Sequence, residues 1–197
     1  MASAVATTHK PLIDVAVPAS GAARWAVWVV LAIAGSLVLW ASAKVQVPFY
    51  PVPMTLQTLA IMVIAAAYGW RLGLATILLY LAEGAFGLPV FSGTPERGIG
   101  LAYMLGPTAG YLAGFIVEVV IVGWFAERGA VRSPLALFPV MLVAAALVLA
   151  LGFAYLSTLI GVEAAWNGGV VPFLLGDLVK VAVASLLIPA AARLVRK

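Results

Sequence analysis

Between Val171 and Leu194 the chain is almost uninterrupted Val, Leu, Ile and Ala, yet it sets Asp177 and Lys180 inside that run. A helix crossing a hydrocarbon core of about 30 Å takes roughly 17–25 apolar residues. An acid or a base at its centre costs about 2.5–3.5 kcal/mol on insertion scales. Their i, i+3 spacing puts both on one helical face. They can therefore neutralise one another, point into a bundle rather than into lipid, and offer an anion and a cation to a polar guest. Any fold for this chain has to enclose that pair.

The remainder of the sequence suits such an enclosure. Of 197 residues, 65% are hydrophobic and 9% charged, where soluble domains carry about 45–50% and about 25%. This composition reads as an all-α integral membrane protein. The net charge of +4 does not indicate nucleic acid, because the basic residues do not cluster with stacking aromatics on an exposed face. Cysteine is absent and His9 lies in a polar segment, which removes disulfide, thiolate and Cys–metal chemistry. Met1 to about Ala23 lacks the apolar core of a signal peptide and reads as a retained, mobile cytoplasmic tail ahead of a membrane domain over 24–197.

The spans follow from apolar length and from charge. The first runs from Trp25 to Ala43, with Trp25, Trp28 and Trp40 as interfacial anchors. Its Ala22-xxx-Ala26 and Ala32-xxx-Ser36 spacings allow close helix approach, either as ordinary packing or as a partner-docking face. Lys44 to Pro53 holds three prolines in six residues and predicts an extended, stiff loop. From Met54 to Phe86 the sequence is too long for one helix and short for two. The break at Gly69-Trp70-Arg71-Leu72-Gly73 predicts arms over Met54–Tyr68 and Leu72–Phe86. Charge decides between them: with two arms, Lys10, Arg24, Arg71, Arg128, Arg132, Arg193, Arg196 and Lys197 share one side, and Lys44 and Arg97 lie opposite. The positive-inside rule then predicts a compact bundle of six transmembrane helices with both termini cytoplasmic.

The loop 87–100 is rich in glycine and contains Phe91, Ser92, Gly93 and Arg97; it reads as either a connector or a lid. Helix four is expected to start at Gly106-Pro107-Thr108, with proline in its first turn, and to run through Tyr111 and Glu118 to Phe125. Its N-terminus can receive an anion. Pro134 to about Ile160 has almost no polar atoms and suggests lipid exposure or scaffolding, followed by an outer loop over Gly161–Val170. Counting about 1.5 Å per residue places Gln57, Thr58, Glu83, Thr108, Tyr111, Asp177 and Lys180 in the outer half of the bilayer. Glu118 lies deeper, as a packing hydrogen-bond partner or a proton carrier. Glu83 and Arg97 can each be solvated charges or ligand contacts. No catalytic motif, P-loop or metal set appears, so active transport would need a partner ATPase or an ion gradient.

Four stretches taken together, Val47-Pro-Phe-Tyr-Pro-Val-Pro-Met-Thr-Leu-Gln-Thr58, Glu83-Gly-Ala-Phe-Gly-Leu-Pro-Val-Phe91, Gly106-Pro-Thr-Ala-Gly-Tyr-Leu-Ala-Gly-Phe115 and Pro172-Phe-Leu-Leu-Gly-Asp-Leu-Val-Lys180, resemble the BioY family. These are the biotin-binding membrane components of energy-coupling factor (ECF) transporters. The resemblance implies a six-helix protein of the cell (inner) membrane with biotin as cargo and no cofactor, working with a transmembrane coupling subunit and paired cytoplasmic ATPases. It implies a substrate site at the loop after Phe91, with Ser92, Gly93 and Arg97, at the turn from Gly106 through Thr108 to Tyr111, and at Asp177 and Lys180; Phe91, Glu83 and Gln57 join the candidate site from the reading of the residues themselves. It also makes the Ala22, Ala26, Ala32 and Ser36 face a docking surface for the coupling subunit. Against this stand a solitary gradient-driven carrier of biotin or a related solute, and a membrane scaffold held by a structural ion pair. If the pair were walled off with no void beside it, the scaffold would be the better reading.

Overall fold

The computed structural model describes residues 11, 13 and 20–195; the tail over 1–23 and the basic residues Lys10, Arg196 and Lys197 lie largely or wholly outside that range. The elements are helices α1 (Ala22–Lys44), α2 (Gln57–Ala85), α3 (Gly100–Met104), α4 (Ala109–Glu127), α5 (Pro134–Ile160), α6 (Val162–Gly169) and α7 (Val171–Val195). A two-stranded ladder, β1 (Gln46–Val47) and β2 (Met54–Thr55), joins α1 to α2. By length and composition, five helical stretches among the described residues are long and apolar enough to cross a membrane.

The α2 stretch is two arms. Gly69 has φ 76° and ψ 175°, a backbone setting that side chains with a Cβ rarely adopt, and the helix reverses there. Gln57 Nε2 then reaches Tyr80 Oη at 2.7 Å, across residues nearly equidistant from the turn. Glu127 of α4 accepts from the Trp70 backbone N–H at 3.2 Å, tying α4 to the start of the second arm. The expected division at residues 69–73 therefore holds, with the turn at Gly69 alone.

Three expectations need correction. Residues 44–53 are not a lone extended loop: β1 and β2 pair antiparallel, with Gln46 opposite Thr55 and Val47 opposite Met54, because the backbone polar groups flanking the prolines find partners in each other. Helix four starts at Ala109, not at Gly106. Gly106 and Pro107 form a turn in which the Ala109 N–H bonds Gly106 O at 3.0 Å, and Thr108 takes the cap position. The stretch 161–170 is not a loop but carries α6, and the end of the 87–100 loop opens α3. Both are short helices at the bundle's rim, where propensity alone gives weak signals.

Helix α1 buries only the stripe Gly35, Ser36, Leu39 and Ala43 and presents most of its apolar surface outward, as a lipid-facing helix does. Ser36 is 1% exposed and its hydroxyl bonds the Glu83 carboxylate of α2. The proposed docking face is thus divided: Ala22 and Ala26 are exposed, Ala32 is half-buried, and Ser36 is committed inside the chain. On α7 the buried stripe Phe173, Asp177, Lys180, Ala184 and Ile188 follows the i, i+3/i+4 rule and faces the bundle. Arg24, Arg71, Arg128, Arg132 and Arg193 gather at one end of the bundle, and Lys44 and Arg97 at the other.

Candidate functional site

The site is built on α7. Lys180 Nζ lies 2.9 Å from Asp177 Oδ1 and 3.1 Å from Thr58 Oγ1, and Thr58 Oγ1 lies 3.4 Å from the same carboxylate oxygen. Asp177 and Lys180 are 6% and 8% exposed. The charges satisfy one another, as their spacing predicts, but they are not sealed off. They border an interior cavity walled mainly by apolar and aromatic side chains with a few convergent polar groups, the make-up of small-molecule sites.

Its walls come from every element except α1, α6 and the ladder's first strand. Gln57 and Thr58 enter from the start of α2, Thr55 from β2, and Val52 and Pro53 from the loop before it. Tyr111, Leu112 and Phe115 project from α4, Val148 and Leu149 from α5, and Phe173 from α7. The Tyr111 and Phe173 rings stack with centroids 6.0 Å apart. On the outer side Phe91 and Ser92 close the space. Phe91 stacks on Tyr103 at 4.9 Å and meets Tyr80 edge-on at 5.4 Å, and its ring lies against Gly84, where a side chain would occupy the same volume.

The closing turn is pinned from below. Tyr80 Oη donates to Val90 O at 3.0 Å, and Tyr103 Oη donates to Ser92 O at 2.8 Å. Burial pushes the Tyr103 phenol above its ordinary range, so it remains a donor across the physiological pH span. Gln57 holds Tyr80 in place. Tyr111 Oη donates to Gly169 O at 2.6 Å, so Tyr111 offers the cavity its ring rather than its hydroxyl. Thr108 Oγ1 differs from all of these: it is buried on the cavity wall, with the Tyr103 phenol as its side-chain neighbour and no well-formed hydrogen bond among the described residues. A buried hydroxyl left open in this way is a natural anchor for a bound polar group.

Of the residues expected at the site, Asp177, Lys180, Tyr111, Thr108, Phe91, Ser92 and Gln57 line this cavity. Arg97 and Gly106 do not; they line an adjoining outer cleft that shares Tyr103 and Thr108 with the cavity. Gly93 forms the turn beside Phe91, with φ +71°. Glu83 is held away from the cavity by Ser36, because α1 packs against the second arm of α2 there. Glu118 is fully buried, and neither carboxyl oxygen has a partner among the described residues, so it is not the packing hydrogen bond that a buried acid suggests. Phe115 and Phe173 were legible as the i+4 and i−4 neighbours of Tyr111 and Asp177 on the same helical faces. Tyr103 had no such signal, and α5 supplies wall residues where its composition suggested only scaffold.

An acid, a base and a hydroxyl around one end of an aromatic-walled chamber suit a compact, neutral ring carrying N–H donors and a carbonyl. Comparison with known proteins agrees with that chemistry. A sequence model of the BioY family matches residues 14–197. The biotin transporter BioY of Rhizobium etli is 36% identical over 152 residues, covering 73% of this chain and 79% of that protein. The biotin transporter BioY of Thermotoga maritima is 35% identical over 147 residues, covering 74% and 83%. In three dimensions the chain resembles the crystal structure of the S-component for biotin from an ECF-type ABC transporter, with a TM-score of 0.76 over 91% of this chain and 96% of that one, at 22% identity.

Proposed function

The chain belongs to the BioY family, and on that premise we propose that the cavity beside Asp177 and Lys180 binds biotin and that the protein captures the vitamin for uptake across the membrane. The observation that carries this reading is a buried ion pair bordering an aromatic-walled cavity rather than packed apolar side chains. Biotin's ureido ring offers two N–H donors and one carbonyl acceptor. Asp177 accepts from the first and Lys180, with one ammonium proton not engaged by protein, donates to the second. Phe173, Tyr111 and Phe91 give the thiophane ring an apolar wall. The valerate carboxylate then extends toward Thr108 at the α4 N-terminus and the Arg97 cleft, where a hydroxyl, a helix dipole and a cation favour an anion.

Counting the two arms of α2 separately, the chain makes six crossings, and the arginine-rich end faces the cytoplasm of a cell-membrane protein. The chamber then opens toward the outside. Partners of ECF type, a membrane coupling subunit and a pair of ATPases, fit a chain that holds no nucleotide motif of its own. Buried, unpartnered Glu118 favours a second reading, a solitary proton-driven carrier. Uptake of biotin by cells expressing this chain alone, abolished by an uncoupler, would select that alternative.

The direct test is saturable binding of tritiated biotin by the detergent-purified chain. No binding at micromolar biotin would reject the reading in favour of a scaffold. Thr108→Val refines it. Filling an unpartnered position with a methyl is expected to leave the melting temperature unchanged or raised, yet to weaken biotin about three- to tenfold, the size of one neutral hydrogen bond. Unchanged affinity would remove Thr108 from the site.

A further inference from the structure

Helix α1 contributes no wall to the cavity, yet its last residue is joined to the turn that closes it. Lys44 Nζ lies 3.0 Å from each of three acceptors: Phe91 O, Thr94 O and Thr94 Oγ1. All three ammonium protons are thereby directed into one four-residue turn. Thr94 Oγ1 itself donates to Phe91 O at 2.7 Å, so the lysine grips a unit that is already folded on itself. Two residues further on, Gln46 accepts from the Ser92 hydroxyl. Arg97 reaches the opposite way, its Nη1 donating to Pro51 O at 3.2 Å. Among the described residues Lys44, at the end of α1, and Arg97, in the 87–100 loop, are the basic side chains at the outer end of the bundle besides the buried Lys180, and each reaches across to a neighbouring turn.

We propose, resting on the biotin reading above, that Lys44 is a positioning residue of the binding site, whose ammonium holds the Phe91–Thr94 turn shut over the cavity. The lysine is not among the residues that line the cavity; it acts through Phe91, which is. A charged donor shared among backbone carbonyls is stronger than a neutral one, and its loss leaves those carbonyls to water. Tyr80 and Tyr103 still pin the turn from beneath, so losing Lys44 loosens the closure without dismantling the fold.

A latch that is present in both the empty and the filled protein slows entry and release alike. Lys44→Met is therefore expected to raise the association and dissociation rates of tritiated biotin together, each about tenfold, the scale of one charge-assisted hydrogen bond, with the equilibrium constant moving less than about threefold. Lys44→Arg, which keeps donors at that point, restores slow exchange. Thr94→Val, which removes one acceptor from the other side, shifts both rates the same way by less. In the absence of biotin, hydrogen exchange of the 90–97 backbone amides in the full-length chain is expected to quicken in Lys44→Met and to return in Lys44→Arg. Unchanged rates and unchanged amide exchange overturn the proposal, and so does a faster release with unaltered association, which would make Lys44 a ligand contact. A wild-type protein that binds no biotin refutes the function while the amide exchange still judges the latch.

Discussion

Asp177→Asn is expected to weaken biotin binding by about a hundredfold, the size of one or two charge-assisted hydrogen bonds to the ureido ring. It should also destabilise the protein, because Lys180 then keeps a buried charge whose remaining partner is the Thr58 hydroxyl. Breaking a buried pair from one side costs about 3–5 kcal/mol, whereas removing both charges is frequently neutral. The double variant Asp177→Asn/Lys180→Gln separates the two effects. It is expected to regain most of the wild-type melting temperature in detergent and none of the affinity. Recovery of binding together with stability would reduce the pair to a packing device, and wild-type affinity in the single variant would place the ligand elsewhere.

Gly84→Ala is the second large effect. The added methyl would overlap the Phe91 ring, which is 1% exposed and held between Tyr80 and Tyr103, so the ring can give way only toward the cavity it walls. Overpacking of this kind costs about 1–3 kcal/mol, and displacement of Phe91 carries Ser92 and the closing turn with it. A loss of biotin affinity of more than tenfold is expected, on the same scale as that strain. Phe91→Leu placed in the Gly84→Ala background frees volume for the methyl, and is expected to recover thermal stability without recovering tight binding. If Gly84→Ala alone binds and melts as wild type, Phe91 is not the rigid outer wall described above.

How far the sequence alone could go is clear from individual residues. Asp177 and Lys180 were legible because two charges in an apolar run have to be buried together on one helical face, and this constraint is local. The two arms of α2 were legible from length and charge, although only the geometry shows that Gly69 does the turning. Thr108 was found through its place at a helix start, but its decisive property, a hydroxyl left open, exists only once α4 is packed. Tyr103 and Lys44 were not found as site residues. Their roles depend on which loop meets which: Tyr103 bonds Ser92, 11 positions back, and Lys44 meets Thr94, 50 positions on, and tertiary packing sets both pairings. Glu83 misled for the same reason: a half-buried acid near the outer ends of the helices resembles a ligand contact until Ser36 of a neighbouring helix is seen to occupy it.

The central claim concerns where the ureido ring sits. A structure of the full-length protein determined with biotin bound is predicted to show that ring in the chamber, its N–H groups on Asp177 and its carbonyl on Lys180, with the valerate chain passing Thr108 toward the Arg97 cleft. Biotin found outside the chamber, or inside it with the Asp177–Lys180–Thr58 cluster untouched by the ligand, would contradict the account.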